Sequence, residues 1–324
     1  MKLELENFRG IKEGSITLGD LNILIGGNNS GKTTILESLF LAPNPLRDIY
    51  NKPAIDLISL LHSTLGSTAY ISIFHNYSGE SASILCTTNK KLEVKFRRED
   101  DLINVSVVEN GVTYWVGNFS ASGKGFWRLS PVVADLIRDE KLIERKTLSD
   151  VKSENFVSKV IGEALYFHPH IVKDIWEYFR DHWVTYRAQG LTTKIAEKIS
   201  EGIAEEYDDL LLEPFIGGQQ TIYVRSRDGR GVRLRDVGSG VQVLITLMLL
   251  YESIKPKMML IDDVESHINP SLLMRTTQWF DDILKSGTRL VISTHSLEAA
   301  EYIAKTLEEH KPQIILLALR NGIL

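Results

Sequence analysis

The sequence predicts an α/β fold: a mixed sheet with an antiparallel β subdomain and an inserted helical lobe. At both ends of the 324-residue chain, short apolar runs alternate with amphipathic stretches, which is typical of a mainly parallel sheet covered by helices. Between residues 68 and 116 the runs alternate partly, which indicates antiparallel strands. From residue 131 to about 214, apolar residues recur at helical spacing. The predicted units are a core of residues 1–130 and 220–324, and an inserted helical lobe of residues 131–219.

Composition and charge exclude several kinds of protein. The hydrophobic fraction of 43% suffices for a full core, and the formal net charge of -5 gives no global basic field for nucleic acid. The single cysteine, Cys86, excludes an intramolecular disulfide and a cysteine-based zinc site. We see no signal peptide after Met1, and the longest apolar run, residues 243–251, is too short to span a membrane. We therefore expect a cytoplasmic protein without a membrane partner.

The chain begins with a predicted β-hairpin. Leu3, Leu5 and Phe8 alternate loosely with charged residues, and residues 14–18 return as a second strand. Arg9 lies in the turn between them, where it either approaches a nucleotide or is an ordinary solvated residue.

Residues 26–34 fit the phosphate-binding loop pattern G-x-x-x-x-G-K-[ST]. An apolar strand at 21–25 precedes the loop and a helix at 33–41 follows it, so the alternative of a simple turn is disfavoured. Lys32 would reach the β- and γ-phosphates, and the Thr33 hydroxyl would bind Mg²⁺. The nucleotide-binding candidates are Gly26, Asn28, Asn29, Ser30, Gly31, Lys32, Thr33 and Thr34, with Arg9 from the hairpin.

Four short runs form the predicted antiparallel subdomain, with turn signals such as Ser78-Gly79 and Asn110-Gly111 between them. The predicted strands are residues 70–74, 82–86, 92–96 and 103–107. The basic residues of this region are followed at once by the acidic residues 99–101, so a solvated face is the better interpretation than a nucleic-acid surface.

Three stretches of the predicted lobe place apolar residues on one helical face: residues 132–137, 171–179 and 195–207. Residues 183–186, Trp-Val-Thr-Tyr, predict a strand between helices. The run His168-Pro169-His170 lacks carboxylates at ligand spacing, so a loop or capping role is favoured over a metal site.

The last third of the chain returns to strands and helices. A hairpin at 222–234 leads to a glycine-rich turn at 236–240 and an apolar helix at 241–254. A buried strand at 258–261 ends in Asp262-Asp263, which suits Mg²⁺ chemistry beside a phosphate loop; two solvated acids are the alternative. The remaining predicted elements are helix 271–284, strand 289–293, helix 297–305 and strand 314–319.

Five motifs in this order resemble the ABC-type ATPase heads of the SMC, RecF and OLD group, which are P-loop NTPases. The phosphate loop is similar to their Walker A motif, and residues 7–11, Asn-Phe-Arg-Gly-Ile, are similar to their opening. Residues 234–242 resemble the signature motif, residues 260–270 the Walker B run and residues 293–296 the switch histidine. The resemblance covers about residues 1–45 and 222–319.

The resemblance implies that two heads enclose two ATP molecules. Each ATP would lie between the Walker A motif of one subunit and the signature motif of the other. In this sequence the signature residues are Gly238, Ser239 and Gly240, whose donors would reach a γ-phosphate that one subunit alone cannot enclose.

The resemblance also assigns roles near Walker B. Asp262 would hold Mg²⁺ together with Thr33, and Asp263 takes the place of the glutamate that polarises the attacking water. His295 would sense the γ-phosphate, with a strand-end core histidine as the alternative. Glu265 completes the catalytic candidates.

Several positions depart from the family pattern. Asp263 is one methylene shorter than glutamate, which predicts slow hydrolysis, while Val264 replaces a proline and Asn269 a histidine. The glutamine of the Q-loop has no clear counterpart, and Gln189 is the nearest candidate.

The resemblance implies an ATP-dependent dimerising switch with slow ATPase activity, acting in DNA repair or recombination or in defence against mobile DNA. ATP and Mg²⁺ are the expected cofactors and a homodimer is the expected assembly. A separate nuclease or other effector protein and DNA are the candidate partners. One alternative is a non-hydrolysing ATP-binding scaffold, suggested by Asp263. A transporter ATPase subunit is less favoured, because the opening hairpin and the signature residues differ from that class.

Overall fold

The structure is a computed structural model that describes residues 1–63, 70–109, 112–120, 133–138, 141–147, 164–201, 206–266 and 268–324. The strands in these ranges are β1 (Lys2–Phe8), β2 (Ile11–Thr17), β3 (Leu21–Ile25), β4 (Asp48–Ile49), β5 (Lys52–Pro53), β6 (Ser81–Thr87), β7 (Lys91–Glu99), β8 (Leu102–Glu109), β9 (Val112–Ser120), β10 (Val133–Arg138), β11 (Lys141–Thr147), β12 (Ala164–Phe167), β13 (Tyr207–Pro214), β14 (Gln220–Ser226), β15 (Gly231–Arg233), β16 (Met258–Ile261), β17 (Arg289–Thr294) and β18 (Gln313–Leu316). The α-helices are α1 (Lys32–Leu41), α2 (Ala54–Leu61), α3 (Val172–Ala188), α4 (Leu191–Ser200), α5 (Ser239–Ile254), α6 (Pro270–Lys285) and α7 (Leu297–Thr306).

A five-stranded parallel sheet holds the strands that carry the candidate site, in the order β12-β16-β17-β3-β18. Every residue of β3, β12 and β16 is buried, as expected for parallel strands covered on both faces. Helix α1 lies against β12 and β16, while α6 and α7 lie against β17. The carboxyl ends of the strands therefore meet at one edge, where ligands of such sheets bind.

An eight-stranded antiparallel sheet adjoins this core, in the order β11-β10-β9-β8-β7-β6-β1-β2. Buried residues alternate with less buried ones along β6 and β8, because one face of an antiparallel sheet packs on the core. The predicted opening hairpin and the predicted meander of β6, β7 and β8 are thus confirmed.

The predicted fold class is confirmed, as are most elements of the final third of the chain. The hairpin of β14 and β15 forms, with β13 as a third strand. Helix α5 begins two residues before the predicted start, at Ser239. Strands β16 and β17 and helices α6 and α7 match their predicted positions within two residues, while β18 ends at Leu316, before the predicted end.

Two predicted strands are wrong. Residues Tyr70–Ile73 form a 3₁₀ helix. Residues 183–186 lie inside α3, although Trp, Val, Thr and Tyr favour strands. The reason is tertiary packing: Ile175, Phe179, Trp183 and Tyr186 recur at helical spacing and are all buried, whereas Val184 on the other face is 84% exposed.

The helical prediction for residues 131–219 is also wrong over four strands. β10 pairs with β9 and β11, β12 joins the parallel sheet, and β13 pairs with β14. Helix α4 ends at Ser200, so Tyr207 begins a strand instead of continuing the helical face; Ile203 lies outside the described residues. The division into two lobes stays a prediction.

Candidate functional site

The predicted phosphate loop joins the end of β3 to the start of α1. A Cβ atom at Gly26 would lie 2.6 Å from the Ser30 hydroxyl oxygen and 2.7 Å from the Leu317 carbonyl oxygen, so only glycine fits there. Gly31 has a φ of 95°, a conformation that glycine adopts without strain. Asn28 and Asn29 are exposed at the tip of the loop, Ser30 and Lys32 are buried, and Thr33 and Thr34 are half-buried.

The Lys32 ammonium lies between its own loop and the ends of neighbouring strands. Its Nζ donates to the carbonyl oxygens of Gly26 and Gly27, at 2.8 and 3.0 Å, and lies 3.3 Å from Nδ1 of His295. Burial lowers the pKa of Lys32, while the carboxylates of Asp263, Asp262 and Glu265 act in the opposite direction. The lysine therefore faces three of the predicted acids.

Asp262 is 1% exposed, and both neighbouring strands hold its carboxylate. The Tyr166 hydroxyl of β12 donates to Oδ2 at 3.0 Å, and the Ser293 hydroxyl of β17 donates to Oδ1. Burial, followed by the charge of Asp262, raises the pKa of Tyr166 well above its usual value, so the hydroxyl stays protonated as a donor. Sequence reasoning missed both supporting residues: Tyr166 belongs to no motif, and in the run of residues 293–296 the resemblance assigns a role only to His295, not to Ser293.

Asp263 lies in the left-handed region, with a φ of 48°. Its backbone N–H donates to the Ser293 hydroxyl oxygen at 2.9 Å, and its Oδ1 lies 3.2 Å from Nε2 of His295. Burial, and then the charge of Asp262, raises the pKa of Asp263, while His295 counteracts this. Ser293 therefore fixes both acids at the end of β16.

His295 connects the lysine to the predicted base. Nδ1 accepting from Lys32 and Nε2–H donating to Asp263 is the hydrogen arrangement that satisfies both ring contacts. The backbone N–H of His295 donates to Glu265 Oε1 at 2.6 Å. The structure thus brings together Lys32, Asp262, Asp263, Glu265 and His295, and the roles assigned to them stay predictions.

We expect Ser293→Ala to lower the free energy of unfolding by about 1–3 kcal/mol, because it leaves buried groups of Asp262 and Asp263 without a partner. Urea denaturation measures this change. Ser38→Ala is the matched control, because Ser38 is equally buried but donates only to a carbonyl of its own helix, that of Ile35. Equal destabilisation by the two variants would contradict the bridging role of Ser293.

The oxygen ligands at the carboxyl edge of the parallel sheet fit Mg²⁺ bound together with a nucleotide. No group of three or more His, Cys, Asp or Glu residues that could hold a metal occurs among the described residues, so the protein alone supplies few ligands. A carboxylate accepts about four hydrogen bonds, so Asp262 keeps lone pairs beyond those used by Tyr166 and Ser293. Mg²⁺ typically takes one or two carboxylates plus phosphate oxygens and water.

Arg9 is not a solvated turn residue. Its side chain is 10% exposed, and its Nε lies 2.7 Å from Oε2 of Glu37 on α1. His62 contacts the other oxygen of the fully buried Glu37 at 2.6 Å. The hairpin turn is therefore tied to the helix that follows the phosphate loop, and the predicted contact of Arg9 with nucleotide stays a prediction.

The predicted signature residues form the start of α5. Gly238 caps the helix, and its carbonyl oxygen accepts from the backbone N–H groups of Val241 and Gln242. The Gln242 side chain donates to the Val237 carbonyl oxygen at 2.9 Å, which holds the turn in place. Ser239 is exposed and Gly240 is buried. The N-terminus of α5 therefore lies at the surface, with Ser239 exposed to solvent.

Gln189 does not lie at the site. It follows the 17-residue helix α3, which spans about 25 Å and separates it from the carboxyl end of β12. A loop or capping role was predicted for residues 168–170, and the structure shows capping: Nδ1 of His168 accepts from the backbone N–H of His170 at 3.1 Å. His267 of the predicted Walker B run lies outside the described residues.

Two protein families match the chain. The family described as "AAA domain, putative AbiEii toxin, Type IV TA system" matches residues 116–301. The family described as "AAA ATPase domain" matches residues 1–157. No curated protein matches the chain.

Solved structures with a similar fold include SMC heads. An SmcHead bound to the C-winged helix domain of ScpA has a TM-score of 0.54 at 15% identity, covering 99% of this chain and 95% of that chain. The Smc head with an extended coiled coil, bound to the C-terminal domain of ScpA and derived from Pyrococcus furiosus, has a TM-score of 0.52 at 13% identity, covering 99% and 94%. The SMC head domain from Thermotoga maritima has a TM-score of 0.47 at 15% identity, covering 99% and 95%.

Proposed function

The chain belongs to the AAA-domain family that matches residues 116–301; from this premise we propose that it is an ABC-type P-loop ATPase of the SMC and RecF group, a dimerising switch that binds ATP and hydrolyses it slowly. The contact of His295 with both Lys32 and Asp263 carries this proposal. Through His295, Lys32 of the phosphate loop is connected to Asp263, which follows the end of β16. An ATP γ-phosphate and an attacking water would both lie within reach of this chain of side chains.

In the proposed mechanism the phosphate loop binds the nucleotide first. The N-terminus of α1 and the loop N–H groups attract phosphate, and the Lys32 ammonium exchanges its contacts with the Gly26 and Gly27 carbonyls for β- and γ-phosphate oxygens. Thr33 and Asp262 would hold Mg²⁺, which neutralises charge on the phosphates when bound. Tyr166 and Ser293 keep the Asp262 carboxylate in one orientation.

Asp263 then orients a water and accepts its proton. Its raised pKa, caused first by burial, makes the carboxylate a better base than an ordinary aspartate. His295 holds the same carboxylate and faces Lys32, so a γ-phosphate that draws Lys32 away changes the contacts of His295. The short side chain limits how closely Asp263 approaches the water, and small misplacements of a catalytic group are costly. Slow hydrolysis is therefore part of the proposal.

The exposed start of α5 supports a site shared between two chains. Ser239 and the N–H groups of a helix N-terminus suit the γ-phosphate held by a second molecule. The two similar SMC heads above a TM-score of 0.5 are bound to parts of ScpA, which supports a separate effector protein as partner. The word toxin in the family description supports defence as the role. Repair or recombination is the other candidate role, and a nuclease and DNA are further candidate partners. The cytoplasmic location remains a prediction from the sequence.

We expect the wild-type mass to double with a non-hydrolysable ATP analogue and Mg²⁺, and Ser239→Arg to stay monomeric. The arginine would fill the space meant for the partner's γ-phosphate. Light scattering coupled to size exclusion measures the mass. Asn89→Arg is the matched control, because it adds the same charge in the turn between β6 and β7, at the end of the sheet away from Arg9. A wild type that stays monomeric at high concentration, or a Ser239→Arg protein that dimerises, would contradict the shared site.

Two alternatives make different predictions. A non-hydrolysing scaffold would bind ATP without releasing phosphate, so phosphate release from pure protein with Mg-ATP separates it from a slow ATPase. A transporter ATPase subunit would co-purify with a membrane protein. Within the described ranges, none of the helices is both long and apolar enough to cross a bilayer.

A further inference from the structure

The turn between β13 and β14 exposes two large apolar side chains. Residues 214–219, which we name the hairpin tip, read Pro-Phe-Ile-Gly-Gly-Gln. Ile216 is 86% exposed, and Phe215 beside it is also exposed. Small and polar residues usually form such turns, and here Gly217 and Gly218 supply the left-handed conformations, with φ of 86° and 77°. Ile216 therefore buries little of its side chain in the single chain.

A series of side-chain contacts connects the hairpin tip to the signature turn. The Arg233 guanidinium lies over the Phe215 ring, with Cζ 4.1 Å from the ring centroid. Arg233 also donates two hydrogen bonds to the Asp236 carboxylate, at 2.6 and 3.0 Å, and such a paired contact fixes the orientation of both groups. Asp236 precedes Ser239 by three residues, so their Cα atoms are at most about 11 Å apart.

The hairpin sheet and the start of α5 also share one surface. A cavity of about 590 Å³ is lined by Ser239 and Gly240 of α5, by Asp236 and by the exposed Val232 of β15. Strand β15 is antiparallel to β14 and so runs toward the hairpin tip. The surface around Ser239 therefore continues over apolar side chains of this small sheet.

A partner that brings its own phosphate loop to Ser239 has to cover this surface. Specific interfaces bury roughly 800 Å² on each partner, and a circular patch of that area has a radius of about 16 Å. This radius is of the same order as the path from Ser239 through Asp236 and Arg233 to the hairpin tip. The position of the tip thus favours a second copy of the chain as its occupant.

We propose that Phe215 and Ile216 of the hairpin tip pack against a second copy of this chain in the ATP-bound dimer. The inference rests on the proposed function, because it takes Ser239 to act on the γ-phosphate of the partner. Burying the tip adds apolar contact to an interface otherwise built on the nucleotide, and a two-fold dimer buries two such tips. The contacts of Arg233 with Phe215 and Asp236 then couple tip docking to the position of the signature turn.

Thiol protection tests whether the tip is covered in the dimer. Ile216→Cys places a thiol at the tip, and the native Cys86 is fully buried. Val184→Cys is the matched control, because Val184 is 84% exposed and lies about 18 Å along α3 from its first residue. The rate of alkylation by a maleimide is measured with and without a non-hydrolysable ATP analogue and Mg²⁺.

We expect the analogue to slow alkylation of Ile216→Cys by about tenfold or more, since a thiol reacts where reagent reaches it. The rate for Val184→Cys should not change. If wild type dimerises with the analogue but Ile216→Cys is alkylated equally fast with and without it, the tip is uncovered in the dimer and this inference alone is wrong. A separate effector protein as the occupant would give that result.

The contribution of the tip to affinity is measured with Ile216→Asp. This variant should weaken the ATP-dependent dimer by about 100-fold or more, because the lost burial counts twice in a symmetric dimer. Val184→Asp should dimerise like wild type. Light scattering across a range of protein concentrations, with the analogue and Mg²⁺ present, gives the dissociation constants.

Binding of the analogue to the single chain separates the two levels of the proposal. Titration at low protein concentration should give the wild-type affinity for Ile216→Asp, since Ile216 lies outside the loop at residues 26–34. An Ile216→Asp protein that dimerises like wild type contradicts the tip contact and leaves the shared site intact. A wild type that binds the analogue but stays monomeric overturns the shared site and this inference together.

Discussion

Asp263→Asn is expected to slow ATP hydrolysis by about 10²–10⁴-fold, the usual contribution of general acid–base catalysis, and to leave ATP binding intact. The amide keeps the shape of the side chain but cannot accept a proton from water. The groups that would hold the nucleotide and Mg²⁺, Lys32, Thr33 and Asp262, are unchanged. Phosphate release under saturating Mg-ATP measures the rate, and the ATP-bound dimer should persist longer.

The control for this variant is Asp282→Asn, which removes an acid that is 57% exposed on α6 and pairs with Lys198. It should hydrolyse ATP at the wild-type rate. If Asp263→Asn also did so, the assignment of Asp263 would be wrong. Glu265, whose buried Oε2 has no hydrogen-bond partner among the described residues, would then be the next acid to test.

The length of the acid is tested in the same assay by Asp263→Glu. The Asp263 side chain is 37% exposed and its partner His295 is 39% exposed, so the pocket leaves room for one more methylene. We therefore expect Asp263→Glu to hydrolyse ATP faster than wild type. A slower glutamate variant would show that the site is built around the aspartate, since a misplaced catalytic group loses rate.

Lys32→Ala is expected to weaken ATP binding by about 100-fold or more, because it removes charge-assisted hydrogen bonds to two phosphates. The fold should survive. Burial lowers the pKa of Lys32 in the folded protein relative to the unfolded chain. The charged lysine therefore costs the folded protein stability at neutral pH, and we do not expect its removal to lower the free energy of unfolding. Titration calorimetry measures binding, and thermal unfolding measures the fold.

Lys285→Ala serves as the control for Lys32→Ala, because Lys285 is exposed and forms an ion pair with Asp281 on the surface of α6, outside the candidate site. It should bind ATP like wild type. A folded Lys32→Ala protein with near-wild-type affinity would contradict the phosphate-loop assignment at its centre.

Local patterns in the chain were sufficient to predict the phosphate loop and the strand that precedes the acids. Glycines and Lys-Thr at residues 26–34 specify a tight loop before a helix, and short apolar runs such as residues 258–261 specify buried strands. Such signals are read within a few residues. The order of β3, α1, β16 and β17 and the acids Asp262 and Asp263 at a strand end could therefore be predicted.

Strand propensity and helical spacing gave wrong predictions where contacts with residues distant in the sequence determine the secondary structure. Residues 183–186 favour strands but lie in α3, because a buried helical face extends through them. Residues 133–138 show helical spacing but form β10, because β9 and β11 supply hydrogen-bonding partners on both sides. Neither outcome depends on the local residues alone.

Only the folded structure shows which residues support the predicted acids. Tyr166 and Asp262 are 96 positions apart in the chain, and Ser293 and Asp262 are 31 apart. Parallel strands are joined by long crossovers, so the register that brings such residues together leaves no local pattern. The chemistry of this site could be predicted from its motifs. The hydrogen bonds that orient Asp262, the cap formed by His168 and the pairing of Arg9 with Glu37 follow instead from strand register and packing.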